Sequence, residues 1–330
     1  MIASNFSTCL WPSSYPIING SERNMANNFT EHNDQKINKE LFCSPELTNG
    51  IHLQLMCLSV LNILLSITAF VGNVVILIAL QKETSLHPAT KLLFRCLATS
   101  DLFVGAFTEP MIVAYWISIA TGRLDICPYF LASNVVTSLT LCSVSLLTLT
   151  AISVDRLLAV LMGTRYRFVV TFKRMLAIVI FFWVVSIVST SSYFWNYDFI
   201  VWYRYIGVFL CLLVSSFSYV KSFVALRGYR SRIQADDKPS RIQPRLLQRY
   251  INAVYTALWL HLALVMCYLP FSITEAVTSQ IGVSSSFFVI RESTATLVFL
   301  NSSLNPILYY WKIRAVRQRV KNIIKKLCRN

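Results

Sequence analysis

The chain is poor in charged residues and in acidic residues above all. Only 14% of its 330 residues are charged, and 15 of these are Asp or Glu, whereas soluble domains carry about 25% charged residues. A water-soluble single domain is therefore excluded. The sequence also lacks the ten-residue segments of alternating polarity that a membrane β-barrel requires, so this class is excluded as well.

Further absences bear on function. The first three and last three apolar segments show no internal repeat of the kind that many transporters carry, and no pore loop recurs as in channels. No nucleophile stands beside a base, and no metal-ligand motif occurs, so we expect no enzyme. A small transporter stays open as the alternative from another class. The four histidines are scattered along the chain, at His32, His52, His87 and His261.

Long apolar runs dominate what is present. The chain is 55% hydrophobic with a mean hydropathy of +0.56. Crossing a hydrocarbon core of about 30 Å takes roughly 20 helical residues, and a backbone in lipid must satisfy its own hydrogen bonds. We therefore predict an all-α membrane protein, a seven-transmembrane helix bundle followed by an amphipathic interfacial helix. The predicted spans cover residues 53–80, 96–119, 129–154, 175–197, 205–226, 250–274 and 293–311.

The distribution of charge predicts the orientation. One face, made of the odd-numbered connections and the C-terminal segment, holds 24 of the 30 Lys and Arg but four acids, a net of +20, and the rest carries −5. This is the positive-inside pattern. Glycosylation sequons at Asn5, Asn19 and Asn28 mark the N-terminal segment as extracellular. Membrane topology explains the net charge of +15, so no nucleic acid partner is needed.

Three regions follow from this reading. Residues 1–50 form an extracellular glycosylated segment, 51–311 the seven-transmembrane domain, and 312–330 an amphipathic membrane-surface helix with a short cytoplasmic tail. Apolar residues recur on one face of 312–328 and basic residues fill much of the other, which favours a position in the plane of the membrane interface. We predict palmitoylation of Cys328, the alternative being a free reduced thiol.

Asp101 is the deepest ionisable residue of the predicted spans. A charge at the centre of a bilayer costs about 2.5 to 3.5 kcal/mol on insertion scales, which makes such residues functional candidates. Neutral oxygens around this carboxylate could hold a small hard cation or could solvate a protonated acid. Spacing alone leaves both alternatives open. The candidate neighbours are Asn73, Ser145, Asn301 and Asn305.

Short motifs occur in a fixed order along the spans. They are Gly72-Asn73-Val74-Val75, Leu97-Ala98-Thr99-Ser100-Asp101, Asp155-Arg156-Leu157, Trp183, Tyr219, Cys267-Tyr268-Leu269-Pro270 and Asn305-Pro306-Ile307-Leu308-Tyr309. Each is weak alone, but together and in this order they resemble a rhodopsin-like, class A G-protein-coupled receptor over residues 50–328.

The resemblance implies a signalling mechanism. Agonist would shift a bistable helix bundle in the plasma membrane, the sixth span would swing outward, and a heterotrimeric G protein would bind, with arrestin as a further partner. It also implies a sodium site at Asp101, Ser145, Asn301 and Asn305, and no required cofactor. The residues implied in G-protein coupling and activation are Asp155, Arg156, Tyr219, Tyr268, Pro270, Asn305, Pro306 and Tyr309.

The chain also departs from the family pattern. Tyr268 replaces the usual tryptophan, Cys211 replaces a proline, and no acid stands near Tyr250 to pair with Arg156. The loop predicted at 196–204 is short and has no cysteine for the family's usual disulfide, as in the melanocortin, cannabinoid and lysolipid receptors, with adenosine receptors as neighbours. Against that family pattern we hypothesise a disulfide between Cys43 and Cys127, which would hold the N-terminal segment over the ligand pocket.

The resemblance also bears on the ligand. Ser138 stands where amine receptors carry an aspartate, which disfavours a simple amine, and the seventh span has no lysine for a retinal Schiff base. Acids in the outer half favour a cationic peptide or a small cationic molecule, and a lipid or a nucleoside is the alternative. The candidate ligand-binding residues are Glu109, Ser138, Cys142, Tyr268, Phe271, Glu275, Glu292 and Phe299.

Overall fold

The computed structural model describes residues 42–44, 50–84, 86–195, 197–235, 242–281, 284–312 and 317–321. Within these ranges the chain is helical and contains no strand, which confirms the predicted all-α class. The three glycosylation sequons and Cys328 lie outside the described residues, and so does most of the predicted amphipathic helix.

Seven long helices correspond to the seven predicted spans, and six of these spans lie wholly inside their helix; the fourth, predicted over 175–197, extends past the end of its helix at Ser191. Six of the helices are long and apolar enough to cross a membrane. The seventh is more polar, but its buried Glu292, Asn301 and Asn305 face the bundle instead of lipid. The helices are α1 (His52–Lys82), α2 (Pro88–Ala120), α3 (Cys127–Met162), α4 (Phe172–Ser191), α5 (Tyr197–Ala235), α6 (Ile242–Ile281) and α7 (Ser285–Lys312).

The helices run past the apolar segments at several ends. α5 begins at Tyr197, so residues 197–204, expected to be a loop, form the first turns of this helix. Apolar length marks only the part of a helix that lies in hydrocarbon, and a helix continues into water wherever its backbone hydrogen bonds continue. The connection between α4 and α5 is therefore shorter than predicted.

Close packing of α2 against α1 accompanies a local change in helix type. The segment Val104–Thr108 of α2 is a π-helix. A Cβ added to Gly105 would lie 2.9 Å from the backbone of α1, at Phe70 N and Ser66 O. The Ser66 hydroxyl donates a 2.7 Å hydrogen bond to the carbonyl of Gly105. Only glycine allows this approach of the two backbones.

A disulfide joins Cys43 to Cys127 across a sequence separation of 84 residues and confirms the predicted pairing. We call the end of the bundle that carries it the outer end, and the end that carries Arg156 the inner end. At the inner end, residues 317–321 are helical, Val320 is buried, and the guanidinium of Arg319 lies 3.6 Å from the carboxylate of Glu83.

Candidate functional site

Asp101 lies in the middle of the bundle, fully buried, and accepts three side-chain hydrogen bonds. Ser145 of α3 donates at 3.0 Å, and Ser302 and Asn305 of α7 donate at 2.9 and 2.7 Å. The carboxylate thus joins α2, α3 and α7. Sequence reasoning found Ser145 and Asn305 but missed Ser302, which lies three residues before Asn305 and so on the same face of α7.

Two other asparagines near this network differ from the expectation. Asn73 donates to the carbonyls of Ala69 and Ser302, at 2.8 and 3.1 Å, and so holds the α7 backbone instead of Asp101. Among the described residues, neither side-chain atom of Asn301 has a hydrogen-bond partner, and the same is true of Oδ1 of Asn305. Asn301 therefore contributes no hydrogen bond to Asp101.

These unpartnered oxygens test whether the residues fit a sodium ion. A hard cation requires oxygen ligands, and the network offers the Asp101 carboxylate, the hydroxyls of Ser145 and Ser302, and the buried Oδ1 atoms of Asn301 and Asn305. One carboxylate with neutral oxygens suits a monovalent cation. Within the described part of the chain, no three His, Cys, Asp or Glu side chains come together to form any other metal site.

At the inner end, Arg156 is held by neighbours on α2 and α3. Its guanidinium pairs with Asp155 and donates a 2.7 Å hydrogen bond to the hydroxyl of Thr90. Thr90 also donates to Asp155 at 3.0 Å, and Tyr166 donates to the other carboxylate oxygen at 2.5 Å. This cluster holds Arg156, and among the side chains that the structure describes none of α6 pairs with it. Sequence reasoning missed Thr90 and Tyr166, which no spacing rule connects to Asp155.

Tyr219 and Tyr309 occupy buried positions in the inner half. The hydroxyl of Tyr219 on α5 lies 2.7 Å from that of Ser153 on α3, and its ring lies 5.0 Å from that of His261 on α6. Tyr309 packs edge-on against Phe94 at 5.2 Å. Pro270 and Pro306 lie inside α6 and α7, where each removes one backbone donor. In this arrangement the inner parts of α3, α5 and α6 are packed together.

A cavity of about 230 Å³ lies in the outer half, bounded mainly by α3, α5, α6 and α7. Its walls are mostly apolar. The Tyr268 hydroxyl, 3.4 Å from the carbonyl of Cys142, ties α6 to α3 beside the cavity. Seven of the eight predicted ligand-binding residues line it: Ser138, Cys142, Tyr268, Phe271, Glu275, Glu292 and Phe299.

Glu109, the eighth, does not line the cavity. The residue is fully buried directly after the π-helical segment of α2, and within the described residues its carboxylate oxygens have no hydrogen-bond partner. A π-helical turn shifts the register of the residues that follow it relative to a regular α-helix.

Four charged side chains form a chain of ion pairs along the outer edge of the cavity, which we call the charge ladder: Arg204, Glu275, Arg291 and Glu292. Glu275 pairs with Arg204 of α5 and accepts from Arg291 Nε of α7 at 2.5 Å. Arg291 also donates to Glu292 at 2.5 Å. Both carboxylates thus have arginine partners, which sequence reasoning missed, and the ladder as a whole is neutral.

The ladder is continuous with the disulfide-linked segment and with α2. Trp116 Nε1 donates to the second carboxylate oxygen of Glu292 at 3.0 Å. The Phe42 ring lies 5.2 Å from the Arg291 guanidinium and 6.1 Å from the Phe288 ring. Tyr115 donates to the Phe42 carbonyl at 3.1 Å. Phe42, next to Cys43, is therefore packed against a cavity-lining arginine.

The described chain is thus a bundle of seven long helices with a cavity in its outer half and a buried polar network around Asp101. The family model "7 transmembrane receptor (rhodopsin family)" matches residues 72–195. The "Adenosine receptor A2a" of Canis lupus familiaris is 25% identical over 79% of this chain and 70% of its own length. The "Adenosine receptor A3" of Ovis aries is 25% identical, over 80% and 88%.

The "Histamine H2 receptor" of Cavia porcellus is 27% identical over 76% of this chain and 75% of its own length. With the ordered motifs, these likenesses support a rhodopsin-like, class A G-protein-coupled receptor. It is a multi-pass plasma membrane protein, and its family consists of receptors, not enzymes.

Proposed function

We propose that this receptor binds a small extracellular ligand in the outer cavity and activates a heterotrimeric G protein through outward movement of α6. One observation carries the proposal: α3, α5 and α6 line the cavity and also pack together in the inner half, where Tyr219 of α5 contacts Ser153 of α3 and His261 of α6. A ligand that changes how these helices pack at one end changes the inner end as well.

The contacts of α6 suggest how the change is transmitted. Near its outer end Glu275 is held between α5 and α7 by the charge ladder, and Pro270 interrupts the helix one turn deeper. Below the proline, His261 Nε2 lies 3.1 Å from the Ser216 hydroxyl of α5. Breaking this lower contact while Pro270 acts as a hinge would let the inner part of α6 move outward. The ligand can shift the equilibrium only by its differential affinity for the two states.

The cavity favours a neutral ligand over the cationic one we expected. Glu275 and Glu292 are paired with arginines, and Glu109 lies outside the cavity, so none offers an uncompensated charge to a cation. A volume of about 230 Å³ suits a small molecule better than a peptide. A nucleoside is the second candidate, because adenosine receptors match about four fifths of the chain.

Several expectations extend this proposal. The N-terminus is extracellular with glycosylation at Asn5, Asn19 and Asn28, and the C-terminus is cytoplasmic with palmitoylation at Cys328. A sodium ion binds at Asp101 as an allosteric ligand. Arrestin binds the same inner face as the G protein.

Guanine-nucleotide exchange on purified G proteins tests the proposal. The receptor, reconstituted in lipid nanodiscs, is exposed to nucleosides, amines and neutral lipids with each G-protein class in turn. We expect one ligand class to accelerate exchange and Arg156→Ala to abolish the acceleration. Arg165→Ala, at an exposed arginine of the same end, is the matched control and should respond as the wild type does. Acceleration that survives in Arg156→Ala would overturn the proposed coupling.

A further inference from the structure

The cavity extends to the side of the bundle where α4 and α5 meet. Phe181 and Val185 of α4 line it together with Gly207, Val208 and Cys211 of α5. Phe181 is also 62% exposed on the outward-facing surface of the bundle. A side chain that lines the cavity and also stands on the lipid-facing surface marks a place where the two are continuous.

Two features of the helices keep this gap open. α4 makes little contact with α5, although both pack well against α3. Gly207 lies in the gap, and a Cβ built on it would have no heavy atom within 4 Å. Glycine is unfavourable in a helix by roughly 1 kcal/mol relative to alanine, so its presence in the middle of α5 calls for a reason. Here the missing side chain leaves the passage between the helices unfilled.

The outer end, by contrast, is crossed by paired charges. The charge ladder runs from α5 through α6 to α7, and Phe42 is packed against Arg291 beside the disulfide. A ligand arriving between α5, α6 and α7 from water would have to separate these pairs. A ligand arriving between α4 and α5 meets Phe181, Val185 and Val208, all apolar.

We propose that the opening between α4 and α5 admits the ligand from the lipid bilayer, and that the ligand is a neutral amphiphile with a hydrocarbon chain. This deepens the proposed function and rests on it, since the opening leads to the same cavity. The chain lies against Phe181, Leu147 and Val208 within the opening. The polar head lies at Arg204, whose guanidinium stands 5.5 and 5.8 Å from the Tyr205 and Phe271 rings.

The charge balance of the ladder fixes the class of head group. Arg204 is paired with Glu275, so an anionic head would meet a compensated charge. A guanidinium carries five N–H donors, which leaves capacity to bind a neutral acceptor such as an ester or amide carbonyl. Burial of each further methylene strengthens binding, so affinity should rise with chain length until the opening is filled.

Photo-crosslinking tests the opening directly. The probe is a monoacylglycerol with a diazirine in its acyl chain, added to the full-length receptor in nanodiscs, and the labelled peptides are identified by mass spectrometry. We expect labels on α3, α4 and α5 residues of the opening, Leu147, Val185 and Val208 among them. Excess unlabelled monoacylglycerol should compete for these sites and not for general lipid-facing positions.

Gly207→Leu is the decisive variant, because it adds an apolar side chain at the opening and its Cβ would have no neighbouring heavy atom from another element within 4 Å. Labelling within the opening should fall about tenfold, the effect of excluding roughly two methylenes of the chain. Gly228→Leu is the matched control. Gly228 lies on the same helix with equally open surroundings and does not line the cavity. In this variant, labelling within the opening should stay at the wild-type level.

Labels confined to outward-facing residues such as Phe209 and Leu213, or equal labelling in Gly207→Leu and wild type, would overturn the inference. Failure of the proposed receptor function would look different. In that case no ligand class drives nucleotide exchange, whatever the labelling pattern. If instead a water-soluble nucleoside drives exchange equally in Gly207→Leu and wild type, the receptor function stands and the bilayer route is refuted.

Discussion

Replacing Glu275 by glutamine removes one of the two negative charges of the charge ladder and keeps the shape of the side chain. Arg204 and Arg291 then face each other across a neutral amide, with only Glu292 left to balance them. Removing one partner of a buried ion pair costs about 3 to 5 kcal/mol. The arginine side chains keep about a fifth of their surface exposed, so water offsets part of this cost and we expect about 3 kcal/mol.

Thermal unfolding in nanodiscs measures this loss. For domains of 150–250 residues each kcal/mol shifts the midpoint by about 2–4 °C, so Glu275→Gln should melt about 6 to 12 °C below the wild type. Arg204→Gln should cost less, because Glu275 keeps its bond to Arg291. Asp125→Asn, an exposed acid-to-amide change at the same end, is the matched control and should change the midpoint little.

The double variant tests the charge-balance argument itself. Arg204→Gln with Glu275→Gln leaves one arginine and one glutamate in the ladder, so its stability should lie close to that of Arg204→Gln alone. Strictly additive losses in the double variant, or a midpoint for Glu275→Gln within error of the wild type, would show that the four side chains do not act as one neutral network.

Three further changes test the packing and the polar network. Cys127→Ser should lower the stability by about 4 kcal/mol, because the disulfide closes a long loop of the unfolded chain. Cys57→Ser, which changes an exposed free thiol, should have little effect. Equal melting midpoints for the two variants would refute a stabilising role of the disulfide. Gly105→Ala should cost about 1 to 3 kcal/mol by overpacking α2 against α1, and unchanged melting would show that the helices adjust. The wild type should melt at a higher temperature in sodium chloride than in choline chloride. At a sodium concentration ten times the dissociation constant, the gain in stability should be about 1.4 kcal/mol, and Asp101→Asn should abolish it. A sodium effect that persists in the variant would place the ion elsewhere.

Hydropathy and motif order predicted the helices and most of the buried polar network. Seven spans follow from apolar length, and Asp101 stands out because charge is rare within them. The seventh span was found in the same way, although α7 is more polar than the other helices. The Cys43 to Cys127 disulfide followed from the missing cysteine of the family pattern. These features depend on local composition or on single motifs, which a sequence displays directly.

What the sequence could not predict depends on the relative register of helices. Arg204 pairs with Glu275 because the two residues lie at the same level along the neighbouring helices α5 and α6. No periodicity within either helix encodes this relative position. Glu109 was expected at the pocket because apolar helix flanks it, but it follows the π-helical segment and does not line the cavity. The charge ladder and the position of Glu109 together favour a neutral ligand over the cationic one that we expected.

Movement of α6 is the central claim, and a distance measurement tests it most directly. Spin labels at Lys173 on α4 and Asn252 on α6, both exposed near the inner end, report the separation of these helices by pulsed electron resonance. With a nucleotide-free G protein bound, we predict a longer distance than in the receptor alone, and a distribution shifted back when the G protein is released by nucleotide. An unchanged distance in the bound complex would contradict the account.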